Sequence, residues 1–192
     1  MRVSPITATI CVSGMILAAL GIYFGAILPL AKAQSYLDAQ RRMKNVRTMD
    51  DFRANFDASF NLYSPVGDEE IAKFLGNDIM NIVNEGQPEN VSRELVSYIE
   101  THLFKDDVRH LLVLGQMYQI LWQSFKVEED YQKAIGYLEK AHEIGPNLPS
   151  PMYKLLSLYL LHGDKESVQR MGNLILANWP QDENVKAALG SN

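Results

Sequence analysis

Leu114-Gly115-Gln116-Met117-Tyr118, answered downstream by Ala134, Leu138, Ala141 and Pro146, is the stretch that decides the fold. A glycine set among large apolar residues, then small residues at helical spacing, describes two helices whose backbones approach closely before a proline ends the second. Pro180 stands 34 residues beyond Pro146, and the pattern between them repeats. Leu155-Leu156 and Tyr159 take the first-helix positions, Gly163 marks the turn, and Val168, Gly172 and Ile175 take the second-helix positions. Asp164 offers a cap for that second helix, and Ser150-Pro151 offers a cap and first-turn proline for the helix before it.

A 34-residue helix-turn-helix period is that of the tetratricopeptide repeat, and residues 108–182 resemble two such repeats. The first departs from the family. Tyr118 to Ala134 is 16 residues where about nine are usual, which predicts either a longer first helix or a loop around Phe125–Asp130. The second carries Leu156 and Val168 where small residues are usual, and keeps Gly172. Asn184 to Leu189 reads as a short closing helix. The resemblance implies an all-α solenoid of helical hairpins, whose first helices line a concave groove suited to an extended peptide or a partner helix. In that register the groove candidates are Arg109, Leu112, Gln116, Gln119 and Gln123 from the first repeat, and Tyr153, Lys154, Ser157 and Leu160 from the second. The family's carboxylate-clamp subgroup needs basic and Asn residues where Leu112 and Gln116 stand, so capture of an acidic C-terminus is not implied.

Upstream, residues 48–105 read as further helices without strand alternation. Thr48-x-x-Asp51 has the form of a capping box opening a helix with Phe52, Phe56 and Phe60 spaced by four. Ser64-Pro65-Val66-Gly67 ends it, and Asp68 is placed to cap the next, with Ile71, Phe74, Leu75 and Ile79 on one face. Gly86 and Pro88 mark another stop and start, after which Val91, Leu95, Tyr98, Ile99 and Leu103 face inward. This region has the size of a repeat and would bury the open end of the stack.

The chain begins differently. Ile6 to Ala31 is 26 uncharged residues, enough to cross a hydrocarbon core roughly 30 Å thick with some tilt. Arg2, Tyr23 and Lys32 read as interfacial flanks, with Pro29 at the helix exit. Ala31-Lys32-Ala33 also has the small-x-small form of a signal cleavage site, but signal h-regions run only about 7–15 residues. The expectation is therefore a retained single-pass anchor over 1–33, with secretion after cleavage as the alternative. Gly14, Ala18, Gly21 and Gly25 share one face of that helix, the arrangement that lets membrane helices pack closely on a partner helix.

A basic segment, 34–47, follows the anchor with Arg41, Arg42, Lys44 and Arg47 against Asp38 alone. Residues 48–192 hold all but one of the 23 acidic residues, and net charge is −5. That balance excludes nucleic acid as an expected partner. The basic residues after the span lean towards a cytoplasmic domain and could rest on anionic headgroups. Domains are thus expected as anchor 1–33, juxtamembrane 34–47, helical region 48–105 and two repeats over 106–192.

No catalytic constellation emerges. His102, His110, His142 and His162 are scattered, read as solvated or capping groups. Glu69-Glu70, Asp106-Asp107 and Glu128-Glu129-Asp130 stand at helix starts or loops, where the helix dipole accounts for them. Cys11 lies in the apolar segment and can form no intrachain disulfide. Asn90-Val91-Ser92 is a formal glycosylation acceptor at a helix start. No enzyme activity, cofactor or metal is expected. The expected function is a membrane-anchored scaffold or adaptor, its partners a protein or peptide in the groove and the lipid bilayer. A second resemblance attaches to the apolar helix with its Pro-Leu-Ala exit, Phe52 and Phe56, and the run Ser64-Pro65-Val66-Gly67-Asp68-Glu69-Glu70-Ile71. Followed by repeats, these resemble the C-terminal tails of bacterial O-antigen ligase-like membrane proteins, implying an accessory or detached tail of an envelope glycan enzyme.

Overall fold

The computed structural model describes residues 4–190; Arg2, counted above as a basic flank, lies outside them. Within that range the chain is helical and contains no strand. It divides into two compact units, Met1–Ala72 and Lys73–Asn192.

The first unit is built on one continuous helix, Pro5–Asn45, about 60 Å long at 1.5 Å per residue. It comprises α1 (Pro5–Ile22), a π-helical turn (Tyr23–Ile27), α2 (Leu28–Arg42) and a short 3₁₀ turn. Ser4 caps it, accepting from the Thr7 amide. Pro29 does not end the helix. Its ring has no N–H to give, and the turn before it widens so that the Leu28 amide reaches the Tyr23 carbonyl five residues back. Every residue of α1 is exposed, whereas Lys32, Tyr36 and Ala39 of α2 are buried.

They are buried against α3 (Met49–Asn61), which runs antiparallel to α2. Thr48 and Asp51 form the expected capping box. Phe52 and Phe56 are buried, with Phe56 against Tyr36. Polar cross-links hold the pair in register: Ser35 Oγ to Ser59 Oγ at 3.0 Å, and Asn55 Nδ2 donating to the Ala39 carbonyl at 2.8 Å.

Lys32 overturns its reading as an interfacial flank. Its side chain is 1% exposed. The ammonium donates to the Leu62 carbonyl at 2.8 Å and the Phe60 carbonyl at 3.4 Å, and pairs with the Asp68 carboxylate. The last carbonyls of a helix have no intrahelical donor, and Lys32 supplies one from another helix. Asp68, expected as a cap, is instead the first residue of α4 (Asp68–Asn84) and neutralises the lysine.

In the second unit the remainder of α4 is followed by α5 (Glu89–Glu100), α6 (Val108–Phe125), α7 (Glu128–Ile144), α8 (Pro149–His162), α9 (Lys165–Asn178) and α10 (Glu183–Gly190). Leu75 and Ile79 are buried as expected, but Phe74 is 54% exposed. α5 stops at Glu100, so Leu103 reaches the core from the loop. Ser92 of the formal glycosylation acceptor is fully buried.

Of the two ways to accommodate the long first repeat, the chain takes the longer helix. α6 runs 18 residues to Phe125, and Lys126 turns the chain with a left-handed backbone at φ 59°. α6 and α7 pack closely because Gly115 has no side chain: a Cβ there would lie 2.7 Å from Leu138 Cγ. At the other end of the pair Trp122 lies 5.2 Å from Tyr131, and Tyr131 stacks on His162 of α8 at 3.8 Å. α8 begins at Pro149 with Leu148 preceding it, so Ser150 is not its cap. Asp164 does cap α9, accepting from the Ser167 amide.

Two ionic groups fasten α5 to this bundle. Asp130, read as a helix-start acid accounted for by the helix dipole, is 2% exposed and bridged by both terminal nitrogens of Arg93 at 3.0 and 2.9 Å. Glu100 accepts the hydroxyls of both Tyr118 and Tyr137. Burial pushes its carboxyl up, but these hydrogen bonds and nearby Lys105 and Lys133 outweigh it and leave the pKa lowered.

Candidate functional site

Three of the nine groove candidates meet at one place. Gln116, Gln119 and Gln123, at i, i+3 and i+7, form a stripe along α6. They line a cleft of about 270 Å³ with Ile120 and with Met80, Asn81 and Asn84 from the last turns of α4. Gly76 helps set the approach: a Cβ there would stand 3.4 Å from Val113 of α6 and 3.6 Å from Leu103.

Five of the seven lining residues are thus side-chain amides, and none is charged. An amide presents an acceptor and two donor hydrogens on one planar group. Among the described residues none of the five makes a side-chain hydrogen bond. Met80 and Ile120 add apolar surface. A lining of this kind matches a neutral ligand with alternating donors and acceptors. A charged ligand finds no counter-ion there, and a purely apolar one would strand the amides at about 1–3 kcal/mol for each buried without a partner.

The other groove candidates lie elsewhere. Arg109 is exposed and folds back on Asp107, with Nη2 to Oδ2 at 2.6 Å and Nε to Oδ1 at 3.1 Å. That pairing, with the Arg109 amide, holds the Asp107 carboxyl down at about 2. Leu112 is half-buried outside the cleft lining. The Tyr153 hydroxyl donates to Asp182, and its ring lies 5.9 Å from Trp179. Lys154 is half-buried and burial lowers its pKa; Ser157 and Leu160 are exposed. None of these four shares the cleft with the glutamines. Gly14, Ala18, Gly21 and Gly25 all face outward along the first helix, and a Cβ on any of the three glycines would meet nothing within 4 Å.

Met80, Asn81, Asn84 and Ile120 were missed from sequence. The signal was present in α4 as a polar pair, Asn81 and Asn84, beside the buried Ile79 and Val83. What sequence does not carry is that this side of α4 comes to lie beside the α6 glutamines.

A second hollow, of about 680 Å³, lies between α7, α8 and α9, with Leu155, Met171 and Leu174 below and Glu139, His142 and Arg170 around it. Contrary to the expectation that the histidines stand in no ligand pair, Glu139 and His142 have the E-x-x-H spacing of some metal ligands. Glu139 instead accepts the Tyr159 hydroxyl at 3.0 Å, and among the described residues no three His, Cys, Asp or Glu groups are placed to hold a metal ion. His110 is fully buried; its Nδ1 accepts the Phe104 amide at 2.9 Å, a capping use within the loop before α6.

No protein-family model matches the chain, and no curated protein is significantly similar to it.

Proposed function

We propose that this chain is a single-pass membrane-anchored adaptor with a tetratricopeptide-like domain, whose amide-lined cleft holds an extended, uncharged stretch of a partner protein. The observation that carries the reading is a coincidence of independent choices. Repeat register selects nine groove residues, and three of them, Gln116, Gln119 and Gln123, line a cleft whose α4 wall adds two more amides. An extended backbone offers one donor and one acceptor per residue, the complement of a row of side-chain amides. The repeat reading is further supported by the antiparallel pairing of α6 with α7, by the Gly115 contact, and by a second short-linked pair, α8 and α9, ending in α10.

Retention of the anchor is supported by Lys32. Cleavage after Ala33 would remove the buried cation that ties α2 to the end of α3 and to Asp68, together with the half-buried Leu28 and Pro29. A disposable leader has no reason to supply part of the folded unit. Lys32, neutralised internally, no longer counts among the basic residues that orient the helix. The exposed Arg41, Arg42, Lys44 and Arg47 keep the lean to the cytoplasmic side.

The test is selection of peptides from a displayed library against the full chain in detergent, compared with Gln119→Asp/Gln123→Asp. Uncharged peptides bound by the wild type and at least tenfold more weakly by the variant support the cleft; equal binding removes it from the reading. Sugar hydroxyls are also neutral donors and acceptors, so the same cleft favours, as a second reading, an accessory role beside an envelope glycan enzyme. Cleft-dependent binding of envelope oligosaccharides, with no peptide selected, would replace the first reading by the second.

A further inference from the structure

The loop that joins α3 to α4 is held at a defined height along the membrane helix. Lys32 lies two residues past Leu30, about 3 Å along the axis, and helical side chains lean towards the N-terminus. Its ammonium, its Leu62 and Phe60 carbonyl partners and Asp68 are therefore level with the last apolar turn, Leu28–Ala31. Gly67 closes the loop against the lysine stem. Its φ of +111° is open to glycine, and a Cβ there would touch Lys32 Cδ at 3.4 Å.

The six residues so placed, Leu62 to Gly67, carry no charge. At their tip Tyr63 is 68% and Val66 61% exposed, with Pro65 exposed between them. Ser64 does not point outward: it is buried, and its hydroxyl donates to the Val66 carbonyl at 2.6 Å, holding the turn closed. An aliphatic side chain and a phenol with a polar tip, projecting from a rigid uncharged turn, suit the zone between headgroups and acyl chains.

We propose that the Tyr63–Val66 turn is a second membrane contact, seated in the headgroup–acyl boundary of the bilayer that the N-terminal helix crosses. The proposal rests on the reading of that helix as a retained span. Lys32 and Asp68 are its positioning residues: they set the height of the turn and cancel each other's charge beside the lipid. The turn and the helix together make two points of attachment, which fixes how the first unit is tilted on the membrane surface, where a helix alone would leave it free to swivel.

The test uses the full chain in phosphatidylcholine vesicles, in a Cys11→Ala background, with an environment-sensitive dye on one introduced cysteine. The sites are Leu17→Cys in mid-span, Val66→Cys in the turn, and Asp50→Cys at the opposite end of α3. Quenchers are carried on the lipid either near the headgroup or deep in the acyl chain. The expected result is deep quenching at Leu17, shallow quenching at Val66 and none at Asp50, with the Val66 quenching lost on adding Lys32→Met while that at Leu17 persists. Quenching at Leu17 without any at Val66 overturns the inference and leaves the anchor intact. No quenching at either overturns both. Equal quenching at Val66 and Asp50 also overturns it, because the unit would then lie flat on the membrane without height set by the lysine.

Discussion

Two helical hairpins in this molecule, α2–α3 and α6–α7, bring antiparallel helices together by opposite means. In α6–α7 the contact is made by subtraction. Gly115 has no side chain where Leu138 arrives, and Ala134 and Ala141 keep the rest of α7 thin. In α2–α3 the contact is made by addition: a lysine is driven into the pair, and its charge is met by two carbonyls and a carboxylate. The first arrangement gains dispersion contacts and risks only overpacking. The second stakes the hairpin on one buried charge, which is costly if any partner is lost. Packing by small residues can be repeated along a chain, whereas a buried cation fits one place.

Lys32→Met should show the largest effect. It keeps the stem and removes the charge, leaving carbonyls undersatisfied and Asp68 without its partner. Breaking a buried pair costs about 3–5 kcal/mol, and the half-exposed Asp68 puts the expectation near the lower figure. Hydrogen exchange of the α3 amides in the detergent-solubilised chain would read it as faster opening of α3. Unchanged protection would mean that the aromatic contacts and the Ser35–Ser59 and Asn55–Ala39 hydrogen bonds hold the hairpin without the lysine, and the contrast with α6–α7 would collapse.

Gly115→Ala comes next. The new methyl lies 2.7 Å from two atoms of a fully buried leucine, and such overpacking costs about 1–3 kcal/mol. Urea unfolding should show a lowered midpoint, with Leu138→Val restoring part of it in the double variant. Additive losses would show that the two positions do not share the strain. The paired control is Gly136→Ala, on the exposed side of α7, where a Cβ meets nothing. Helix propensity alone then acts, and the variant should gain up to about 1 kcal/mol.

A smaller effect is expected from pH. Glu100 has a native pKa below its ordinary 4.5, so the unfolded chain takes up its proton first. Its stabilising share is complete above that value and is lost as pH falls through the lower native one. Glu100→Gln should flatten the acid side of the stability profile of the second unit. An acid limb equally steep in the variant would assign the loss to other carboxylates.

The two hairpins also differ in how far they could be read in advance. Gly115, Ala134, Leu138 and Ala141 announce close packing through spacing alone, because a helix makes residues three and four apart neighbours. The capping box at Thr48 and the cap at Asp164 are legible for the same reason: each is a bond between residues three apart. Lys32 gave no such sign. At the end of an apolar run it looks like an interfacial lysine, and its partners lie about 30 residues away. Asp130 misled in the same way, since its partner Arg93 is 37 residues distant. Three of the nine groove candidates came together, because Gln116, Gln119 and Gln123 share a helix face; their α4 counterparts were hidden until two helices were placed side by side.

Sequence by itself determined the helical class, most helix limits, the apolar segment long enough to span a bilayer, and the close α6–α7 approach. Each follows from period, capping chemistry or side-chain size within a few turns of one helix. Only the tertiary structure decided that the helix runs on past Pro29, that Lys32 and Asp130 are interior charges, and that five amides converge on one cleft. Those outcomes depend on which distant groups satisfy a charge or a backbone carbonyl, and that choice is made by packing between helices.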